Sequence, residues 1–216
     1  MVFRSIGNVT SWLVGFSIVE IILSIISAAA AFYLTLSNAY SDLQTNNIYG
    51  FIDTFPLIIF IPIIVITLIW YYRATKNIAS FGAKEITSPR MAVVWWFIPI
   101  VHLWKPYAVS QQIWRASNPD TNLTEGTEWR KVPSSNIIKI WWVLALISIF
   151  GSISAVFIAG FLTYINDPTL SEETSPQGVL LENIITIPFL GIGIISTIYF
   201  IFMIRQISKR QYLKST

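Results

Sequence analysis

Of 216 residues, 54% are AVILMFWYC and only 12% are charged, with a mean hydropathy of +0.63; a soluble domain carries about 25% charge, so a water-soluble globule is excluded and lipid is the expected solvent for most of the surface. The chain has no cysteine and one histidine, which excludes disulfide frameworks, cysteine nucleophiles, HExxH zinc sites and multi-histidine haem or copper centres. The net charge of +3 is accounted for by membrane topology and calls for no nucleic-acid partner.

A membrane-crossing helix needs roughly 20 mostly apolar residues. In chain order, the first such run covers about 11–36. It is longer than a signal-peptide core and reads as a retained helix. Within it, Ser17, Glu20 and Ser24 share one helix face with Ser27, and Glu20 is the one carboxylate well inside an expected span. Insertion of such a group costs on the order of 3 kcal/mol, so Glu20 has two readings: a proton or cation site, or a carboxyl held by a neighbouring hydroxyl or carbonyl. The following segment, 37–54, holds Asp42 and Asp53 and no Lys or Arg. The second span is expected at about 55–72.

From Arg73 the chain turns basic, and Ser88-Pro89 reads as an N-cap followed by proline at the first helical position. The apolar run 91–104, MAVVWWFIPIVHLW, is too short to cross. With Pro99 and Pro106 as breaks, segment 91–116 is expected to form a kinked, re-entrant or interfacial hairpin. Trp95, Trp96, Trp104 and Trp114 would lie at headgroup depth. Arg73, Lys105 and Arg115 would form a basic aromatic rim fitted either to anionic headgroups or to ordinary anchoring. His102 could titrate, ligate a metal or touch a headgroup, although one imidazole is a weak ligand set. A polar loop follows at 117–136, with Asn-Pro-Asp and Glu-Gly turn signals. The third span is expected at about 137–165, with a stripe of Ser148, Ser152, Ala155 and Ala159 beside Gly151 that permits close helix packing. Segment 166–183 is again acidic and free of Lys and Arg, and the fourth span covers about 184–204 before a basic tail.

All 14 Lys and Arg fall on one side of this arrangement, which puts both termini in the cytoplasm. A crossing by 91–116 would send Arg115, Arg130 and Lys131 outward and destroy that asymmetry. At a constant offset, Ser24, Ala31, Thr35 and Asn38 match Ser152, Ala159, Thr163 and Asn166; at a slightly larger one, Pro56 and Arg73 match Pro188 and Arg205. The fold expected is therefore an all-α integral membrane protein with four transmembrane helices as two similar hairpins. Its parts are a first hairpin at 1–72, a cytoplasmic-side segment at 73–136, and a second hairpin with basic tail at 137–216.

The stretch WYYRATKNIASFGAKEITSPRMAVVWWFIPIVHLWKPYAVSQQIWRAS, residues 70–117, resembles the bacterial multi-pass membrane proteins of domain-of-unknown-function family 4328. The Arg-Ala and Asn of RATKN, the Ser-Pro, the Trp-Trp-Phe-Ile-Pro block, Trp-Lys-Pro-Tyr and Ile-Trp-Arg-Ala-Ser carry the likeness; His102 departs from the family pattern. The resemblance implies a bacterial cytoplasmic (inner) membrane protein of several helices and brings no reaction, ligand or partner.

The sequence offers no catalytic constellation and no cofactor motif. Its expected function is that of a non-catalytic membrane scaffold or accessory subunit, whose partners are anionic membrane lipids and other membrane protein subunits or a second copy of the chain. The alternatives are an oligomeric transporter or channel-like protein with its polar site at Glu20, and a lipid-binding protein.

Overall fold

The computed structural model describes residues 3–37, 48–166 and 176–216. Four long helices dominate it: α1 (Gly7–Ser37), α2 (Ile48–Ser80), α6 (Asn136–Asn166) and α7 (Pro176–Ser215). Between α2 and α6 lie three short helices, α3 (Pro89–Val94), α4 (Pro99–His102) and α5 (Lys105–Ala116), and a 3-10 turn at Glu128–Lys131. No strand occurs among the described residues. Each of the four long helices contains a stretch long and apolar enough to cross a membrane, and only a minority of each stretch is buried, as a helix solvated by lipid tails requires. The turn of each expected hairpin, with Asp42 in the first and Asp167, Glu172 and Glu173 in the second, lies outside the described residues.

The long helices outrun the apolar spans because hydropathy marks only the part suited to lipid. Helix α2 continues through Arg73 and Asn77 to Ser80 and stops there for a local reason. Gly82 takes φ +96, Gly82 N–H donates to Ala79 O at 3.1 Å, and Ala83 N–H donates to Ile78 O at 3.1 Å. This pair of reversed bonds closes the helix end and satisfies carbonyls that would otherwise be orphaned. Helix α7 likewise extends past the apolar run through Ile207 and Gln211 to Ser215.

The chain forms two compact units. The first comprises Met1–Ser17, Pro62–Trp142 and Ile198–Thr216. Its core holds Ile6, Leu13, Trp70, Tyr71, Ile78, Val109, Ile113, Ile138, Met203, Ile204 and Ile207, all essentially inaccessible. Prolines start its short helices. Ser88 is the N-cap of α3, its Oγ accepting from Met91 N–H at 3.3 Å with Pro89 next. Pro99 opens α4 and Pro106 stands in the first turn of α5, where a missing N–H is harmless.

The second unit comprises Ile18–Ile61 and Val143–Thr197. Here α6 and α7 approach closely: Ser148 Oγ donates to Phe189 O at 2.9 Å, and Ala155 and Ala159 are buried. A Cβ at Gly151 would stand 2.1 Å from the Phe189 ring, and one at Gly193 would stand 2.7 Å from Ser148 Oγ. The small-residue stripe thus serves helix packing.

Candidate functional site

Segment 89–116, which holds the three short helices, belongs to the first unit and is built into its core by one face of α5. Pro106, Val109, Ser110, Gln111, Ile113 and Ala116 of that helix are buried, a spacing that leaves one stripe for the interior. Two of these residues are polar and both are satisfied. Ser110 Oγ lies 2.6 Å from the Tyr71 hydroxyl and donates to Pro106 O at 2.8 Å, so the tyrosine is the donor in their shared bond. Gln111 forms a reciprocal pair with Ser135, donating to its carbonyl and accepting from its N–H, both at 2.9 Å.

The aromatic residues continue this docking. Trp96 meets Tyr71, His102 and Trp142 edge-on at ring-centroid distances of 5.2, 5.3 and 6.4 Å, and Trp142 lies 5.1 Å from Trp141. Such edge-to-face pairs contribute about 0.5–1.5 kcal/mol each beyond the area they bury. Trp142 Nε1 donates to Leu103 O at 2.8 Å, tying α6 to the end of α4. His102 Nδ1 lies 3.0 Å from Trp96 O; a carbonyl only accepts, so Nδ1 carries the proton and the imidazole closes the bend between α3 and α4.

The remaining sequence candidates are distributed around this body. Lys105 Nζ sits 5.3 Å over the Trp95 ring. Trp114 is covered by the Arg210 guanidinium at 3.4 Å, and its carbonyl accepts from Arg210 Nη1 at 3.3 Å. Arg115 is half-buried, and its Nε, like Nε1 of Trp95 and of Trp96, is buried without a hydrogen-bond partner. Arg73 is half-buried on α2 and Trp104 exposed just before α5. Exposed apolar side chains follow one another between α3 and α5: Val94, Phe97, Ile98, Ile100, Leu103 and Trp104, with Phe97 67% and Ile100 72% accessible.

The intramembrane polar candidates divide between the units. Ser17 is buried in the first, its hydroxyl without a partner. Glu20 and Ser24 belong to the second, where Ser24 Oγ donates to Glu20 Oε1 at 3.1 Å. Spacing of four residues on one helix suffices for that bond.

Sequence reasoning missed the most connected polar residues, Asn77 and Gln211. Asn77 grips the Arg4 peptide unit with both ends of its amide, accepting from Arg4 N–H at 3.1 Å and donating to Arg4 O at 2.9 Å. Gln211 donates to Ala74 O and to Ser117 Oγ, both at 3.1 Å. Lys214 then donates to the carbonyls of Asn118 and Thr121 at 2.7 and 2.6 Å. The stripe Ile204, Ile207, Gln211, Lys214 at helical spacing was the available signal.

The loop after α5 is equally tied. Gly126, at φ +90, has no room for a Cβ against Gly82 O and the Lys84 side chain, and Lys84 N–H donates to Gly126 O at 2.7 Å. The Glu128 carboxylate accepts from the N–H groups of Glu125 and Gly126 at 2.7 and 2.8 Å and from Thr124 Oγ1 at 3.2 Å. These donors, the Glu125 N–H foremost, hold its carboxyl down at about 2. Trp129 Nε1 donates to Lys84 O at 3.0 Å, and Arg130 pairs with Glu85 at 2.6 Å on the exposed surface.

Residues 35–209 match the family model described as a domain of unknown function, DUF4328. No curated protein and no solved structure matches the chain.

Proposed function

The chain belongs to the DUF4328 family, and from that premise we propose that it is a non-catalytic accessory subunit or scaffold of a bacterial inner membrane. In this reading both termini are cytoplasmic, and the hairpin contacts lipid and neighbouring membrane proteins from the cytoplasmic face without crossing.

The observation that carries the reading is the division of labour along the hairpin. Its base is locked into the first unit by Ser110, Gln111 and Trp96. Its tip presents an apolar cluster of Phe97, Ile98, Ile100 and Trp104 that nothing in the described protein covers. A rigid mount beneath exposed aromatic and branched side chains is what an interaction surface needs, because little ordering entropy is lost on contact. The hairpin's helices also stay short, with six residues in α3 and four in α4, about 9 and 6 Å of rise against the roughly 30 Å of a bilayer core.

Extraction in a mild neutral detergent followed by identification of copurifying proteins and lipids tests the proposal. Phe97→Ser with Ile100→Ser, both at exposed positions, is expected to leave the protein inserted and folded and to strip stoichiometric companions. Unchanged companions in the folded double variant would place the interaction surface elsewhere.

A further inference from the structure

The first unit contains a cavity of about 350 Å3 between the first turns of α1 and the last turns of α7. We propose that it binds the phosphate group of an anionic ligand through Arg205 and Lys209. The site is separate from the hairpin tip and stands without the scaffold reading.

The wall from α7 carries Arg205, Ser208, Lys209 and Tyr212, and the opposite wall carries Ser5, just before α1, and Ser11 on α1; no carboxylate lines the cavity. Arg205 and Lys209 stand four apart on one helix face. Like charges at that spacing repel, so the pair is disfavoured by itself and favoured by a shared counter-ion. The other two cations of this helical segment are committed: Arg210 lies on Trp114 and its carbonyl, and Lys214 donates to two carbonyls. Arg205 and Lys209 have no hydrogen-bond or ion-pair partner among the described residues.

The donor chemistry matches a phosphate. Guanidinium presents a planar fork for two phosphate oxygens and ammonium a point charge for a third. Serine hydroxyls add donors that a halide would use less fully. The volume falls at the small end of the ~300–1,000 Å3 range of ligand pockets, enough for a phosphate with a short organic group. Two sources share that chemistry, a lipid headgroup and a free phosphate.

Full-length protein in neutral detergent would be titrated separately with inorganic phosphate, short-chain phosphatidic acid and short-chain phosphatidylcholine, with binding read by calorimetry and native mass spectrometry. Saturable binding of phosphatidic acid over phosphatidylcholine is expected, and each of Arg205→Gln and Lys209→Gln should weaken it about tenfold. Ser11→Phe, which fills the cavity and leaves both charges, should weaken it as well. Lys131→Gln, an exposed charge outside the cavity, should bind as wild type, and all variants should melt with the wild type. Binding of phosphatidic acid alone assigns a lipid headgroup; binding of inorganic phosphate too assigns the free group. Wild-type protein that binds neither probe saturably, or folded Arg205→Gln and Lys209→Gln proteins that bind as wild type, would overturn the proposal.

Discussion

Asn77 Nδ2 donates to Gln211 Oε1 at 2.8 Å, joining residues 134 positions apart. Both side chains are buried, Gln211 completely, and each amide uses both of its N–H donors. Removing either amide strands its partner's polar groups in an interior where each costs about 1–3 kcal/mol. Asn77→Leu and Gln211→Leu are therefore each expected to lower stability by that order, and the double variant by less than the sum. Thermal melts of the four proteins in one detergent form the cycle; strict additivity would show that the two amides act independently.

Topology can be tested on a background free of native cysteine. Asn122 is exposed on the loop after α5, and Asn122→Cys should react with a membrane-impermeant maleimide only after cells are opened. Labelling in intact cells would mean that segment 91–116 crosses.

Glu20 accepts a hydrogen bond that an amide oxygen would accept equally well. Glu20→Gln should keep abundance, melting behaviour and copurifying partners. A folded Glu20→Gln protein that abolishes a wild-type ion flux in reconstituted vesicles would favour the transport reading.

Gly151 faces the Phe189 ring with no space for a methyl group. Overpacking of this kind costs about 1–3 kcal/mol, so Gly151→Ala should lower the melting point, and Phe189→Leu in the same chain should restore part of the loss. A Gly151→Ala protein as stable as wild type would mean the ring moves aside freely.

The Glu128 carboxyl, held at about 2 by the N–H groups it caps, gives the loop a pH dependence of definite sign. A folded value below the ordinary 4.5 of an unfolded glutamate means the stabilisation is complete above about 4.5 and is lost as pH falls towards 2. Amide protection over residues 118–132, taken relative to the intrinsic exchange rate at each pH, should fall through that window in the wild type. In Glu128→Gln the same step should be absent, with exchange faster at neutral pH; a step of equal size in both would assign it to other carboxyls.

The parts of the fold legible in the sequence were those set by local rules. Ser88-Pro89 announces a helix start because a cap and a proline act within one turn, and the four spans announce themselves by apolar length. Glu20 and Ser24 share a face by helix periodicity alone. The lengths of α2 and α7 were not legible, because beyond the lipid-suited run a helix is sustained by tertiary contacts. Residues 205–216 read as a basic tail, yet Ile207 and Gln211 are buried. Asn77 gave no signal, since all its side-chain partners, at Arg4 and Gln211, lie far along the chain. Apolar and aromatic side chains of segment 91–104 look alike in the sequence, and only the folded unit separates Trp96, packed among rings, from Phe97, which is open.

Trp96, Trp141 and Trp142 sit within 6.4 Å of a neighbouring indole at 62° or 90°. Indoles this close and this strongly inclined couple their electronic transitions, and coupled transitions of fixed handedness give paired circular-dichroism bands of opposite sign in the strong far-ultraviolet band of indole. Trp141 and Trp142 are neighbours on α6 and Trp96 lies between α3 and α4, so the Trp96–Trp142 part of the signal exists only while Trp96 is seated against α6. The protein thereby carries its own optical gauge of that seating, readable in detergent or bilayer without a label.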